Sequence, residues 1–584
     1  MNNIKIWRLQ PPSPYVSKFA FETGIAPLTA QLLLNRGISD KDSASYFLSP
    51  RLSDLLNPML LKDMDKAVDT ILYSIENHEH IAVYGDYDAD GITATALLLN
   101  LFSSMNINAS SYIPDRLEEG YGLNMDAVKR LSEKGVRLII TVDCGIANKK
   151  EIEFAQTLGM KVVVTDHHQI PRDFRPICPT VNPHRPDSLF PFRALAGVGV
   201  AFFLAVAIRG GLRDRGGFAE TPEPDLKKYL DLAAIGTVGD MVPLTGQNRI
   251  IAIHGIEAMK KSIWPGIRAM KKMAGVDEKA ISSNDLAFKL APRLNAPGRM
   301  GDINAGLLAL TSDNNSTAMD MATDLNSMNS QRQLIEGEIF NEIEETIIPE
   351  LDLDNKKIIV LAKTGWHKGV MGIVASKLLD RHRRPCLLLS VEGDTASGSG
   401  RSIDGFNLFK ALSRMEDMLE KFGGHYHAAG CTLKVSDIDD FRKGLEQIAN
   451  EELRDEDFIP CISVDTEIAL SDLTLESVAE IRSLEPFGSG NPEPIFYSGG
   501  LQVLDSRVVG EKHLILRVMQ GKSVLDAMGF NLSHLPPINQ KTVNMVYSPE
   551  INSWNGYKKV RLKIVDLEIK SKITKLEKMP HQVR

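Results

Sequence analysis

Between residues 80 and 210, short and almost uninterrupted apolar runs alternate with amphipathic stretches. The runs are HIAVYGD (80–86), NASSYIPD (108–115), RLIITVD (137–143) and KVVVTD (161–166), and helical patterns such as NMDAVKRLSEKG lie between them. Continuous apolar strands separated by helices predict a parallel sheet covered on both faces. The spacing therefore predicts an α/β domain over residues 79–312. Before it, residues 1–78 read as a helical lead-in packed on that domain, with Gly37 as a C-cap and Ser39 as an N-cap. Residues 313–352 are polar, with Met321, Leu325 and Met328 at helical spacing, and predict one long helix. A second α/β domain over 353–452 carries KKIIVLAK, PCLLLS and AAGCTLKV as strands. The acidic stretch NEELRDED marks a boundary. Residue-by-residue alternation then dominates 459–570, as in a small barrel of the OB type, and 571–584 is a basic tail.

Composition narrows the class. Of 584 residues, 43% are hydrophobic and 24% charged, ordinary for globular protein and enough for three or four domains. No apolar run reaches membrane-spanning length, and MNNIKIWRLQPPSP lacks the pattern of a secretory signal. Five cysteines without C-x-x-C pairs speak for a reducing cytoplasm and against a disulfide or zinc framework. The net charge of −8 argues against nucleic acid only if the acidic residues are not neutralised by metal.

Those acidic residues gather at strand ends. Asp86, Asp88 and Asp90 crowd the turn after the first strand, Asp143 ends the third, and Asp166 precedes His167 and His168 at the fourth. Asp240 follows a glycine in YLDLAAIGTVGDMVPL. Ligands of such sheets bind beyond the carboxyl ends of the strands. D-x-D-x-D-G also opens an EF-hand loop, but position twelve counted from Asp86 is Leu97 rather than glutamate, and a strand precedes the loop. A solvated acidic turn explains one such cluster, not a series with a histidine pair. Mixed carboxylate and imidazole ligands suit Mn²⁺ and tolerate Mg²⁺. Two cations with a bridging carboxylate serve hydrolysis of phosphate esters or anhydrides.

Further along, glycines cluster at Ser397–Gly400 and Gly423–Gly424, read either as phosphate-approaching turns with Arg401 or as simple loops. His425 and His427 read as nucleic-acid contacts or loop hydrogen-bonding groups rather than metal ligands. In YKKVRLKIV, Lys559, Arg561 and Lys563 alternate with apolar residues, which puts three cations on one strand face. Residues 556–584 hold nine Lys or Arg against three Asp or Glu, with Trp554 and Tyr557 near for base stacking. The pattern reads as a single-strand platform or as a solvated barrel face with a basic tail.

GDYDADG, TVDCG, TDHH and GTVGD resemble the four motifs of the DHH phosphoesterases. LAGVGVAF, APRLNAPGRMGD, LNSMNSQRQ, GWHKGVMGIVASKL, SGSGRS, FGGHYHAAGCTL and LEPFGSGNPEPIF, in that order, resemble the RecJ branch, bacterial exonucleases specific for single-stranded DNA. The resemblance covers nearly the whole chain. It implies a two-lobed core, with a parallel-sheet DHH domain and a DHH-associated α/β domain joined by the long helix, followed by an OB-fold. It implies 5′-to-3′ removal of 5′-mononucleotides from single-stranded DNA in repair and recombination. By matching motifs, Asp86, Asp88, Asp90, Asp143, His167 and Asp240 are metal-ligand candidates for two Mn²⁺ or Mg²⁺ ions. Asp143 is the choice for the bridge, Asp166 orients a histidine from behind, and His168 faces the scissile phosphate. Arg293, Asn295, Arg299 and Arg401 are candidate phosphate clamps. A single-strand-binding protein and a RecQ-type helicase are implied as partners, with no membrane. Where relatives acting on pyrophosphate carry a histidine, this chain has Tyr84, which leaves open how Asp86 and Asp88 divide between the metals. Two other readings are a DHH hydrolase of short oligonucleotides or cyclic dinucleotides and a non-catalytic replication scaffold. The added barrel argues against the former and the full ligand set against the latter.

Overall fold

The computed structural model describes all residues except 1–4, 117–118, 302, 354, 534, 536–537, 555–556, 570–575 and 579–584. Two compact units emerge: residues 51–452 with 488–490, and residues 1–50 with 453–487 and 491–584. Most of the 571–584 tail lies outside the described residues, which include only the short strand Leu576–Lys578.

In the larger unit the first sheet is wholly parallel. Its spatial order is Ala109–Tyr112, His80–Tyr84, Val136–Val142, Lys161–Thr165, Thr180–Val181. The order reverses between the His80 and Val136 strands, and a crevice opens where connections leave in opposite directions. Helices Ala89–Ser104, Gly197–Asp214 and Leu230–Gly239 bury almost entirely apolar surfaces against this sheet and one another. The helix after the acidic turn starts at Ala89, three residues before the apolar pattern begins. Asp88 caps it by accepting from the N–H groups of Asp90 and Gly91, so the acidic residues form its first turn.

The long helix runs from Asn315 to Glu342, 28 residues or about 42 Å, and leads to the second lobe. The second sheet is mixed rather than simply alternating: Ile359–Thr364 and Cys386–Glu392 pair in parallel, and Thr395–Arg401, Ala428–Lys434 and Lys421–Gly424 complete it antiparallel. The glycine clusters thus lie within strands, not in turns. A Cβ on Gly398 would stand 1.8 Å from the Leu388 carbonyl oxygen, so close strand approach accounts for the glycine there.

In the smaller unit, strands Phe496–Val509, His513–Gln520, Ser523–Gly529, Tyr557–Ile569 and Thr542–Trp554 pair in that order, and the last pairs back to the first, closing a barrel with OB connectivity. The stretch read as one lead-in is divided. Phe19, Leu32, Leu33 and Phe47 bury themselves with Leu514 and Leu516 of the barrel, whereas Met64, Val68 and Ile71 join the core around the first sheet. The N-terminal residues also hold a strand, Ile6–Leu9, paired in parallel with Cys461–Val464 and Leu576–Lys578. These partners lie hundreds of residues away, beyond the reach of local periodicity.

Candidate metal centre and phosphate cleft

The crevice collects the acidic residues. Asp86 follows the first strand, Asp143 the third, and His167 and His168 the fourth, while Asp240 caps the end of helix Leu230–Gly239. Glycine makes the close approach possible. A Cβ on Gly91 would sit 2.6 Å from Asp86 backbone atoms, and one on Gly197 would sit 2.5 Å from Asp143 Oδ1. Asp143 itself adopts a left-handed φ of 62°, a strained conformation that turns its backbone at the strand end.

His167 Nε2 lies 3.1 Å from Asp143 Oδ1, 3.7 Å from Asp240 Oδ2 and 3.8 Å from Asp90 Oδ2. Potential ligand atoms fall into three groups spanning no more than 4.8 Å: Asp86, Asp88 and Asp143; Asp90, His167 and Asp240; Asp143, His167 and His168. Asp143 belongs to two of them. Burial and the charges of Asp90 and Asp88 push the Asp143 carboxyl well up. Burial and Asp88 do the same to Asp86. By the same cause Asp90 rises to about 7, despite accepting from the Gly197 and Val198 N–H groups at 2.6 and 2.7 Å. Asp240 rises to about 9 through burial and the charges of Asp90 and Asp88. Burial and the neighbouring His168 charge lower His167 to about 4, so its ring is neutral at neutral pH.

These are the marks of a cation site. Asp86 Oδ1 and Asp143 Oδ1 are buried with no hydrogen-bond donor among the described residues, a costly state for a carboxylate without a counter-charge. The donor set is oxygen plus imidazole, which fits Mn²⁺ or Mg²⁺. Cys144 adds no thiolate: burial pushes its thiol up, and it lies 3.7 Å from the Tyr84 carbonyl oxygen.

Behind these groups Asp166 is fully buried. Burial raises its pKa, but hydrogen bonds and charge from His168 and the N–H of Ile146 outweigh that and hold it below the ordinary range. It accepts from the His167 and His168 N–H groups and meets His168 Nδ1 at 2.8 Å. The histidine ring it orients is thus His168. Burial acts to lower His168, yet the Asp166 bond and the charges of Asp166, Asp240 and Asp86 bring it to about 9. Tyr84 is buried and donates to the Gly122 carbonyl, supporting the loop beyond the neighbouring strand.

The candidate clamps separate. Asn295 is committed elsewhere, its Oδ1 accepting from the Ala89 N–H at 2.7 Å and holding the helix start, whereas Arg293 meets only the neutral Asn326 Oδ1 and Lys289 carbonyl among the described residues. Arg299 and Arg401 bond only to uncharged acceptors among the described residues: Gly369 O, and Ser399 Oγ with Gly400 O. Burial lowers Arg299 to about 10, reinforced by the charges of Arg116, Arg332 and Arg401. Burial and Arg116 also lower Arg401. Arg116 lies over the Tyr87 ring within the acidic turn. Sequence reasoning missed Arg116 and Tyr121, whose hydroxyl bonds Asp143 O and His168 Nδ1 at 3.2 and 3.0 Å. The signal for Arg116 and Tyr121 was their place in a glycine-flanked loop after a parallel strand.

His425 and His427 are exposed, with His427 3.7 Å from Asp404, and neither belongs to the carboxylate groups above. Lys559, Arg561 and Lys563 do alternate with buried Val560, Leu562 and Ile564. Two of the three face carboxylates: Arg561 Nε bonds Glu550 at 2.6 Å and Lys563 Nζ lies 3.1 Å from Glu493. Register aligns Asp505, Arg517, Asp526, Arg561 and Glu550 on neighbouring strands, with signs alternating around the barrel. Tyr557 is exposed.

Comparison with known proteins places this arrangement. Residues 80–237 match the DHH family N-terminal domain, 355–451 the DHHA1 domain and 464–566 the RecJ OB domain. The single-stranded-DNA-specific exonuclease RecJ of Bacillus subtilis is 39% identical over 570 residues, covering 96% of this chain and 71% of the relative. The Escherichia coli protein of the same name is 35% identical, with 93% and 96% covered. The crystal structure of RecJ in complex with Mn²⁺ from Thermus thermophilus superposes with a TM-score of 0.84 at 30% identity, covering 99% of this chain and 81% of that one. With three domains matched in order and such identity over most of both chains, this chain belongs to the RecJ family.

Proposed function

We propose that this protein hydrolyses single-stranded DNA from its 5′ end and releases 5′-mononucleotides, in DNA repair and recombination. One observation carries the reading: orphaned carboxylate oxygens of Asp86 and Asp143 lie in one crevice with His167 and Asp240, beside Arg299 and Arg401, which have no carboxylate partner among the described residues. Asp86, Asp88, Asp90, Asp143, His167 and Asp240 would hold two Mn²⁺ or Mg²⁺ ions, and Asp143, the one carboxylate common to two of the ligand groups, would be shared between them. Bound there, such a pair supplies an activated water and neutralises charge on the phosphate. His168, kept protonated by Asp166, donates to the scissile phosphate. Arg116, Arg299 and Arg401 hold phosphate oxygens by charge-assisted bonds. Of the three alternating barrel cations, Lys559 would contribute most to strand binding, since Arg561 and Lys563 are already paired with carboxylates.

The family membership supports a single-strand-binding protein and a RecQ-type helicase as partners. Five free cysteines support a reducing cytoplasm. No helix among the described residues is long and apolar enough to cross a membrane.

The test is digestion of 5′-labelled and 3′-labelled single strands, with duplex controls, with and without Mn²⁺. Early release of the 5′ label as mononucleotide, dependent on Mn²⁺ and absent from blunt duplex, is the expected result. First release of the 3′ label overturns the polarity, and full activity in excess chelator overturns the metal chemistry.

A further inference from the structure

The helix Asn315–Glu342 buries a carboxylate as well as linking the lobes. Glu336 is only 5% exposed. Its Oε1 lies 2.6 Å from Lys377 Nζ, on the helix Met371–His382 of the second lobe. Its Oε2 lies 3.4 Å from Nη1 of Arg332, one turn back on its own helix. The carboxylate is therefore shared unequally, with the short contact going to the other lobe. Arg332 is left partly compensated. Its Nη2 donates to Asn329 Oδ1 at 3.1 Å, and its buried Nε has no acceptor among the described residues.

A buried guanidinium N–H without an acceptor is costly unless something else accepts from it. Its surroundings point to what that is. The short helix Pro297–Met300, which carries Arg299, packs on this same long helix and on the turn Lys368–Val370. Arg299 in turn feels the charges of Arg332, Arg116 and Arg401. Four cations so grouped call for a multiply charged anion.

We propose that Arg332 is a further phosphate-binding residue of the cleft, and that Glu336, shared with Lys377 of the second lobe, is the positioning residue that aims it. Lys377 keeps Glu336 from neutralising Arg332 fully, so seating of the second lobe and readiness of the guanidinium are linked. This inference rests on the single-strand reading above.

The experiment measures binding of a fluorescent strand of about twenty nucleotides to the full chain, in chelator so that no cleavage occurs, at several salt concentrations. Arg332→Gln is expected to weaken binding about tenfold and to flatten the slope of log Kd against log salt by about 0.7, one phosphate contact on a single strand. Arg332→Lys, which keeps the charge but lacks Nε, should recover only part of the affinity. Glu336→Gln should weaken binding about threefold in the wild-type background and not at all in the Arg332→Gln background, because it acts through Arg332. Glu336→Asp should restore part of that loss. Lys377→Met, at a half-exposed position, runs the same cycle should Glu336→Gln fail to fold. An unchanged Kd and slope for Arg332→Gln overturn the phosphate role. Additive losses in the double variants overturn the positioning role. Wild-type protein that binds no strand overturns the underlying reading, and this inference with it.

Discussion

The cations of the DHH unit and those of the barrel look alike in composition and differ in what they face. Arg299 and Arg401 are largely buried, meet only neutral acceptors among the described residues and repel their neighbours. Arg561 and Lys563 lie half-buried on a strand, each against a carboxylate, within a register of alternating charge. The first pair holds unspent charge in a poorly solvated place, where a phosphate gains most from meeting it. The second pair has spent its charge at a surface, where an ion pair contributes little to stability or binding. Positive charge marks a binding site only where the fold has left it uncompensated. The carboxylates obey the same rule with opposite sign: Asp86 and Asp143 have orphaned oxygens, whereas Glu550 and Glu493 do not.

The largest expected effect comes from removing uncompensated charge in the crevice. Asp143→Asn should lower turnover by at least about three orders of magnitude, given the several kcal/mol that a cation pair supplies. The same change should raise the melting temperature in chelator. The Asp143 carboxyl is raised in the fold, so its ionisation destabilises the native state once pH exceeds the ordinary aspartate value near about 4. A variant that melts lower in chelator yet keeps more than a tenth of the activity in Mn²⁺ breaks the assignment.

Arg401→Gln comes next. Loss of a charge-assisted contact of roughly 1.5–3 kcal/mol should raise KM about ten- to a hundredfold, with a shallower salt dependence. Equal losses for a neutral ligand of the same cleft would show that the change had damaged packing instead.

The cation affinity itself should depend on pH. Asp90 and Asp240, at about 7 and about 9, hold protons that a cation must displace, so apparent Mn²⁺ affinity should rise with pH up to about 9. His167, at about 4, contributes nothing to that rise because its ring is already neutral. Calorimetry in buffers of different ionisation enthalpy counts the protons released; a count of zero at pH 7 contradicts the burial argument.

The smallest effect is expected in the barrel. Arg561→Gln should change strand affinity less than twofold and cost barrel stability under about 1 kcal/mol, as for other exposed ion pairs. Lys559→Gln should weaken binding of long strands more than Arg561→Gln does, and leave cleavage of a trinucleotide unchanged. Equal effects of the two substitutions would erase the distinction between Arg561, paired with Glu550, and Lys559, which has no carboxylate partner among the described residues.

Local pattern determined a good deal here. Near-continuous apolar strands ending in Asp86, Asp143 and Asp166 specified a parallel sheet and put the carboxylates at its ligand-binding edge, because strand polarity alone decides which end they occupy. Alternation in YKKVRLKIV likewise specified which residues of that strand point inward, since side chains of a strand alternate by steric necessity. Tertiary structure decided which charges are compensated. That Asn295 holds the Ala89 N–H and that Arg561 meets Glu550 depend on contacts between separate elements that no spacing rule encodes. The same holds for the N-terminal fifty residues, whose amphipathic helices show that they need a partner surface but not which one. Periodicity records a residue's relation to its own helix or strand. Desolvation and pairing record its relation to everything packed around it, and in this protein those relations set the chemistry.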